Sequence, residues 1–221
     1  MMRNMSDVNQ LKKEFKFEQQ KLNTLLWRLV PQKISEKFLT DDLKDIIVGK
    51  NCAIMCATAK TAVKPELRLT ELDVTEIIMS LSDKIMSQNK NIMRLRTFNG
   101  TFLFIAGLFE EKSCKENIED LIRFCDECGK KVKDIFKKKQ SLCGLIKSGI
   151  VYGYMSGISK TIFDVLSDSA IEVFDLIDVV PAGKLCILKD EYEAINDADK
   201  RFVAYLPPRD VDVELYINRG E

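Results

Sequence analysis

Near the start of the chain, apolar positions at Leu11, Phe15, Leu22, Leu25 and Leu29, with Glu18 interrupting, alternate spacings of four and three. That pattern predicts a helix carrying a heptad seam. Leu26, Trp27 and Val30 widen its apolar surface, Pro31 interrupts it, and a short amphipathic piece follows through Ile34, Phe38 and Leu39. A lone helix of this length is marginal in water, so the seam needs a partner. That partner is either the rest of the chain or a second chain.

Beyond Asp41 the period changes. Cys52 to Ala57 is a short apolar run suited to a buried strand, and Val74, Ile77, Ile78, Leu81 and Ile85 mark a helix over Asp73 to Gln88. Ile92 to Arg96 and Thr101 to Ala106 read as strands either side of Asn99-Gly100, a hairpin signal. Glu116 to Lys138 reads as a long helix. Leu142 to Lys147 and Val151 to Met155 read as two strands punctuated by Gly149, Gly153 and Gly157. A helix over Ser167 to Val179, a turn at Pro181-Ala182-Gly183 and a strand over Leu185 to Leu188 follow. The last pair of strands, Phe202 to Leu206 and Val211 to Ile217, flanks Pro207-Pro208. This order predicts an α+β sandwich over 45–218, preceded by a coiled-coil helix over 1–40.

Composition narrows the function classes. Of 221 residues, 46% are hydrophobic and 31% charged, as in a globular protein. Lys+Arg and Asp+Glu both number 34, and a zero net charge argues against a general nucleic-acid or membrane-surface binder. No apolar run approaches a membrane span and no signal-peptide pattern opens the sequence, so a cytoplasmic or otherwise intracellular setting is expected. Seven scattered cysteines fit reduced thiols in that setting. Histidine is absent, which excludes Ser-His-Asp and Cys-His catalysis and any His-ligated metal.

Two local clusters have alternative readings. Cys125 and Cys128 form a C-x-x-C with Cys114 and Cys143 nearby in sequence, either a metal or redox site or two core thiols on a helix. Lys130, Lys131, Lys133 and Lys137 to Lys139 form either a contact for a phosphate backbone or a microtubule-like acidic surface, or a solvated helix end.

Five segments, taken in order, resemble the class III nucleotidyl cyclase catalytic domain. LNTLLWRLVPQKISEKF (Leu22 to Phe38) is similar to the LLxxLLPxxVAxxL lead-in of adenylate and guanylate cyclases, and MRLRTFNGTFLFIAGL (Met93 to Leu108) to the KIKTIGDAYMxxxGL hairpin. IKSGIVYGYMSG (Ile146 to Gly157) resembles IHSGPVVAGVVG, its middle glycine one residue early. FDVLSDSAIEVFDLI (Phe163 to Ile177) and PAGKLCILKDEYEAI resemble the two blocks that follow. The resemblance implies a ferredoxin-like cyclase sandwich whose active sites form between two domains, and so a homodimer or a heterodimer with another cyclase-type domain. Leu11, Phe15, Leu22, Leu25 and Leu29 would then be the pairing seam.

The same resemblance places the two metal-binding carboxylates at Thr58 and Gly100, the ribose-orienting Asn at Ile171 and the transition-state Arg at Asp175. None of these residues can do the family's chemistry, which needs Mg²⁺ or Mn²⁺ on paired carboxylates. No metal or cofactor is therefore expected unless residual cyclase activity survives. Arg96 and Asp164 fall where adenylate cyclases bind the base, either as a retained base pocket or as a solvated strand residue and a turn. Asp168, Glu172 and Asp175 share one helix face, an acidic stripe either repelling phosphate or simply facing solvent. The reading is a catalytically inactive, dimerising scaffold or regulatory subunit for itself, an active cyclase or a larger assembly. The alternative is a weakly active or partner-dependent cyclase subunit making cyclic nucleotide.

Overall fold

The computed structural model of the chain describes residues 10, 12–18, 21, 46–61, 71–137, 139–156, 162–208 and 211–219. Strand β1 (Ile47–Thr61) sits inside the sheet because its middle is apolar on both faces. Cys52 through Ala57 are all fully buried. Ala53, Met55 and Ala57 face the main core, while the helix over Asp168–Leu176 packs near the other side of the strand. Burial on both faces is why this segment reads as a continuous apolar run rather than an alternation.

The remaining elements follow in chain order: α1 (Glu71–Met86), β2 (Ile92–Phe98), β3 (Thr101–Ala106), α2 (Cys114–Ile135), β4 (Gln140–Ser156) and β5 (Ile162–Leu166). Then come α3 (Asp168–Leu176), a 3₁₀ turn (Ile177–Val179), β6 (Leu185–Leu188), α4 (Lys189–Ala194), α5 (Ala198–Arg201), β7 (Phe202–Tyr205) and β8 (Leu215–Asn218). The sheet runs β2-β3-β1-β4-β6-β8-β7, with β5 pairing β4 off this path. Only β4 and β6 pair in parallel; the other ladders along that path are antiparallel. The predicted mixed α+β architecture is the one observed.

The core lies between the sheet and helices α1 and α2, where Phe104 meets Phe124 edge-on at 4.8 Å. Helix α2 starts in a reciprocal capping box, Ser113 accepting from the Glu116 amide and the Glu116 carboxylate accepting from the Ser113 amide. A buried polar network braces its first turns. Asn91 Nδ2 donates to Asn117 Oδ1 and Asp120 Oδ2 at 2.8 and 2.7 Å, and Asn117 Nδ2 donates to the Asn51 carbonyl at 2.7 Å. Gly107 has φ +90°, and a Cβ there would lie 2.2 Å from Asn117 Nδ2, so the network closes only over a glycine.

Three sequence expectations change. The two strands foreseen over Leu142 to Lys147 and Val151 to Met155 are the single strand β4. Its Gly149 looked like a turn residue but serves close approach: a Cβ there would stand 2.2 Å from Ser169 Oγ. The helix over Ser167 to Val179 stops at Leu176 and tightens into the 3₁₀ turn. Residues at the head of the FDVLSDSAIEVFDLI block form strand β5 before the helix begins.

The chain divides into two compact units, one of Met1–Ile46 with Tyr154–Phe163 and a larger one of Ile47–Gly153 with Asp164–Glu221. In the smaller unit residues 12–18 are helical, and Phe15 is exposed at 67%. Leu11, Leu22, Leu25 and Leu29, the rest of the proposed pairing seam, lie outside the described residues.

Candidate functional site

Asn99 and Gly100 both take positive φ, 49° and 72°, at the β2–β3 turn. Two consecutive left-handed residues match the right-handed twist of a hairpin, and Asn-Gly adopts them at least cost. The turn brings Gly100 beside β1. Thr58 pairs in register with Thr101 on one side and Cys143 on the other. Its hydroxyl donates to the Gly100 carbonyl at 3.3 Å. The two positions assigned by resemblance to metal carboxylates are therefore neighbours, 42 residues apart in sequence.

What meets there is a hydroxyl and a peptide carbonyl. Both are neutral oxygens, and a pair of divalent cations draws its protein affinity from anionic carboxylates. Among the described residues no group of three or more His, Cys, Asp or Glu is placed to hold a metal ion. The residues present do not fit a two-metal centre.

Ile171 and Asp175 lie on α3, Ile171 exposed at 58%. They line a shallow cleft of about 400 Å³ with Asp168, Glu172, Leu176 and Asp212 among its walls. Four carboxylates and no Lys or Arg line it. Lys147 reaches Glu172 at 2.5 Å and neutralises one of them. A triphosphate entering this cleft meets repulsion on the order of 1 kcal/mol per water-exposed carboxylate at contact distance.

The start of α3 is tied to the sheet by side chains. Ser167 Oγ donates to the Ile150 carbonyl and Ser169 Oγ to the Ser148 carbonyl, both at 2.9 Å. Ser148 in turn donates its amide and hydroxyl to Glu191 Oε1, a carboxylate only 1% exposed. The other end of α3 is held by Lys60. Its Nζ donates to the carbonyls of Ile177, Asp178 and Val180 at 3.3, 2.9 and 2.6 Å. A cation at carbonyls just beyond the helix end complements the helix dipole. Two residues along β1 from Thr58, Lys60 shares its face and spends its charge on backbone.

Arg96 and Asp164 meet each other at 2.5 Å, Arg96 at 63% and Asp164 at 23% side-chain exposure. Asp164 Oδ1 also accepts from the Val165 amide at 2.8 Å. Both members of the suggested base pair are therefore brought together and already engaged. An exposed pair of this kind contributes about 0–1 kcal/mol, little enough for a ligand to displace.

Cys125 and Cys128 are core residues of α2, both facing the hydrophobic cluster. Burial pushes the Cys128 thiol up to about 12 and the Cys125 thiol well above its ordinary value. A protonated thiol is a poor ligand and a poor nucleophile. The lysine cluster near the end of α2 divides: Lys131 pairs with Glu127 at 2.5 Å, while Lys130 and Lys133 line a second, larger cleft.

Sequence reasoning missed Lys60, Glu191 and the Asn91–Asn117–Asp120 network. Burial holds Glu191, and a Tyr-flanked acid in a short helix gave no sign of it. Lys60 binds carbonyls, which carry no sequence signature.

No protein-family model matches the sequence, and no curated protein sequence matches it. Solved structures do match the fold. The adenylyl cyclase CyaB from P. aeruginosa superposes with a TM-score of 0.64 at 11% identity, over 80% of this chain and 97% of that one. The guanylate cyclase domain of RhGC from Catenaria anguillulae, in complex with GTP, gives 0.62 at 12% identity over 79% and 98%. A bacterial light-regulated adenylyl cyclase gives 0.67 at 13% identity, over 95% of this chain and 64% of that one. The fold is that of a nucleotidyl cyclase catalytic domain, the class the five ordered motifs resembled. Among the described residues no helix is long and apolar enough to cross a membrane.

Proposed function

We propose that this chain is a cyclase-fold protein that does not cyclise nucleoside triphosphates and acts as a dimerising scaffold or regulatory subunit. It pairs with itself, with an active cyclase or within a larger assembly. The observation that carries the reading is the Thr58 hydroxyl bonded to the Gly100 carbonyl where two metal-binding carboxylates are expected. Ile171 and Asp175 add to it: an apolar group cannot orient a ribose, and a carboxylate cannot stabilise a phosphate transition state. Pairing has a precedent in this fold: a guanylyl cyclase domain of RhoGC from Blastocladiella emersonii forms a non-canonical dimer, and the same domain also occurs as a monomer.

The test combines two measurements on the purified chain. Incubation with Mn²⁺ and either ATP or GTP yields no cyclic nucleotide above a no-protein blank, and light scattering returns the mass of a dimer alone or with a cyclase chain. Robust cAMP or cGMP formation would sink the non-catalytic reading. A strictly monomeric mass, alone and with cyclase domains, would sink the scaffold. The Arg96–Asp164 pair favours one second reading, a partner-dependent cyclase subunit that still recognises a base. Its sign is a partner's turnover rising on addition of this chain and falling back with Asp164→Ala.

A further inference from the structure

Six cationic side chains converge on one cleft that shares no lining residue with the acidic cleft along α3. Lys130 and Lys133 come from α2, Lys184 from the turn before β6, Lys200 and Arg201 from α5 and Arg219 from the end of β8. Against them the lining carries two acids, Asp126 and Asp134. The cleft is open to solvent and offers about 900 Å³ of space, within the size range of small-molecule sites.

Several of these cations are positioned without being neutralised. Lys184 Nζ donates to the carbonyls of Asn218 and Arg219 at 3.1 and 3.2 Å, contacts that fix the ammonium and leave its charge. Arg219 Nε donates to the Asp199 carbonyl at 3.2 Å, which orients the guanidinium. Lys133 Cε lies 3.6 Å from where a Cβ of Gly183 would stand, beside the Ser141 wall. Among the described residues none of these three pairs with a carboxylate. Arg201 and Lys200, by contrast, are paired to Glu119 at 2.6 Å and Asp197 at 2.7 Å.

Gly129 supplies a second observation. It sits inside α2, where glycine weakens a helix, yet a Cβ there would meet no heavy atom within 4 Å. Packing does not require a glycine. It lines the cleft, and its missing side chain leaves that part of the wall bare.

Three unneutralised cations from three separate elements around a recess suit an anion with several charges. A recess of this size suits a molecule rather than a polymer track. We propose that the cleft binds a soluble, multiply phosphorylated small molecule, its phosphates held by Lys133, Lys184 and Arg219. Arginine adds bidentate geometry to the two point charges. This site is independent of the reading of Thr58 and Gly100.

Titration calorimetry of the full chain with inorganic tripolyphosphate tests it. One molecule binds per chain, more weakly as salt rises. Lys133→Glu and Arg219→Glu each weaken binding by about tenfold or more, the loss of a charge-assisted contact replaced by repulsion. Gly129→Leu, which changes no charge, projects a bulky group from the cleft wall and weakens binding, while Gly129→Ala preserves it; thermal melts of both confirm folding. Three results would overturn the proposal. These are no binding by the native chain, affinity unchanged from the native chain in both charge-reversed variants, or capture only by phosphatidylcholine vesicles carrying a phosphoinositide with none of soluble tripolyphosphate.

Discussion

Restoring carboxylates at Thr58 and Gly100 turns the geometry of the site into a stability measurement. The Thr58 hydroxyl and the Gly100 carbonyl stand 3.3 Å apart. Aspartates introduced at both positions would therefore carry their charges at close range on a half-buried surface. Two like charges about 4–6 Å apart repel by about 3–4 kcal/mol at an effective dielectric near 20, and solvent access at this site reduces that to about 1–2. An aspartate in place of Gly100, whose φ is +72°, costs about 1 kcal/mol more. Loss of the Thr58 hydrogen bond adds about 1 kcal/mol. The double variant should lose about 3–4 kcal/mol in metal-free buffer, a large share of the 5–15 kcal/mol that a domain possesses.

A divalent cation seated between the new carboxylates cancels the repulsion. At a concentration a hundredfold above its dissociation constant it returns about 2.7 kcal/mol. Urea unfolding followed by circular dichroism, with and without Mn²⁺, reads both terms. The native chain is expected to ignore Mn²⁺ and the double variant to recover most of its loss. Thr58→Asn with Gly100→Asn serves as the neutral control, with the strain but without the repulsion. Equal Mn²⁺ stabilisation of the native chain would refute the absence of a metal centre. A folded double variant indifferent to Mn²⁺ would refute the assignment of these two positions.

Three further outcomes follow from residues outside that pair. Burial raises the Asp120 pKa, but hydrogen bonds from Lys112, Asn91 and Arg123 outweigh it and hold the carboxyl below its ordinary value. A depressed folded-state pKa gives stability that is present above the unfolded pKa and lost as pH falls through the folded one. Urea midpoints should therefore drop on acidification, and Asp120→Asn should flatten that acid limb while costing about 1–3 kcal/mol at neutral pH. Lys60→Met removes three carbonyl contacts from the 3₁₀ turn and should cost about 1.5–3 kcal/mol by the same assay. Gly129→Ala should stabilise α2 by about 0.4–1 kcal/mol and raise the melting temperature by about 1–4 °C, since the added methyl has open space.

Periodicity revealed the elements whose burial is local. Helix α1 announced itself through Val74, Ile78, Leu81 and Ile85, the residues it buries. The β2–β3 hairpin was legible because Asn99 and Gly100 both need positive φ. Strand β4 was misread because Gly149 answers to Ser169, a contact twenty residues away that no local pattern encodes. The site divides along the same line. Thr58 and Gly100 were found together only through ordered motifs, and the Arg96–Asp164 pair joins residues 68 apart. Lys60 reaches partners 117 or more residues away through their carbonyls, so no residue type could have flagged them.

Net charge shows how much a sum conceals. Equal numbers of acids and bases excluded a general polyanion binder, and that exclusion rests on the whole surface. The potential inside a cleft is instead set by charges within about 8 Å at physiological ionic strength. By that measure the chain is polarised: four carboxylates line the α3 cleft and six cations line the cleft under α2. Two of those six were visible beforehand as Lys130 and Lys133 on one helix, but their meaning depended on Lys184 and Arg219 arriving from other strands and turns. An anion bound under α2, as proposed, would therefore occupy a cleft separate from the acidic one along α3 and leave that one free.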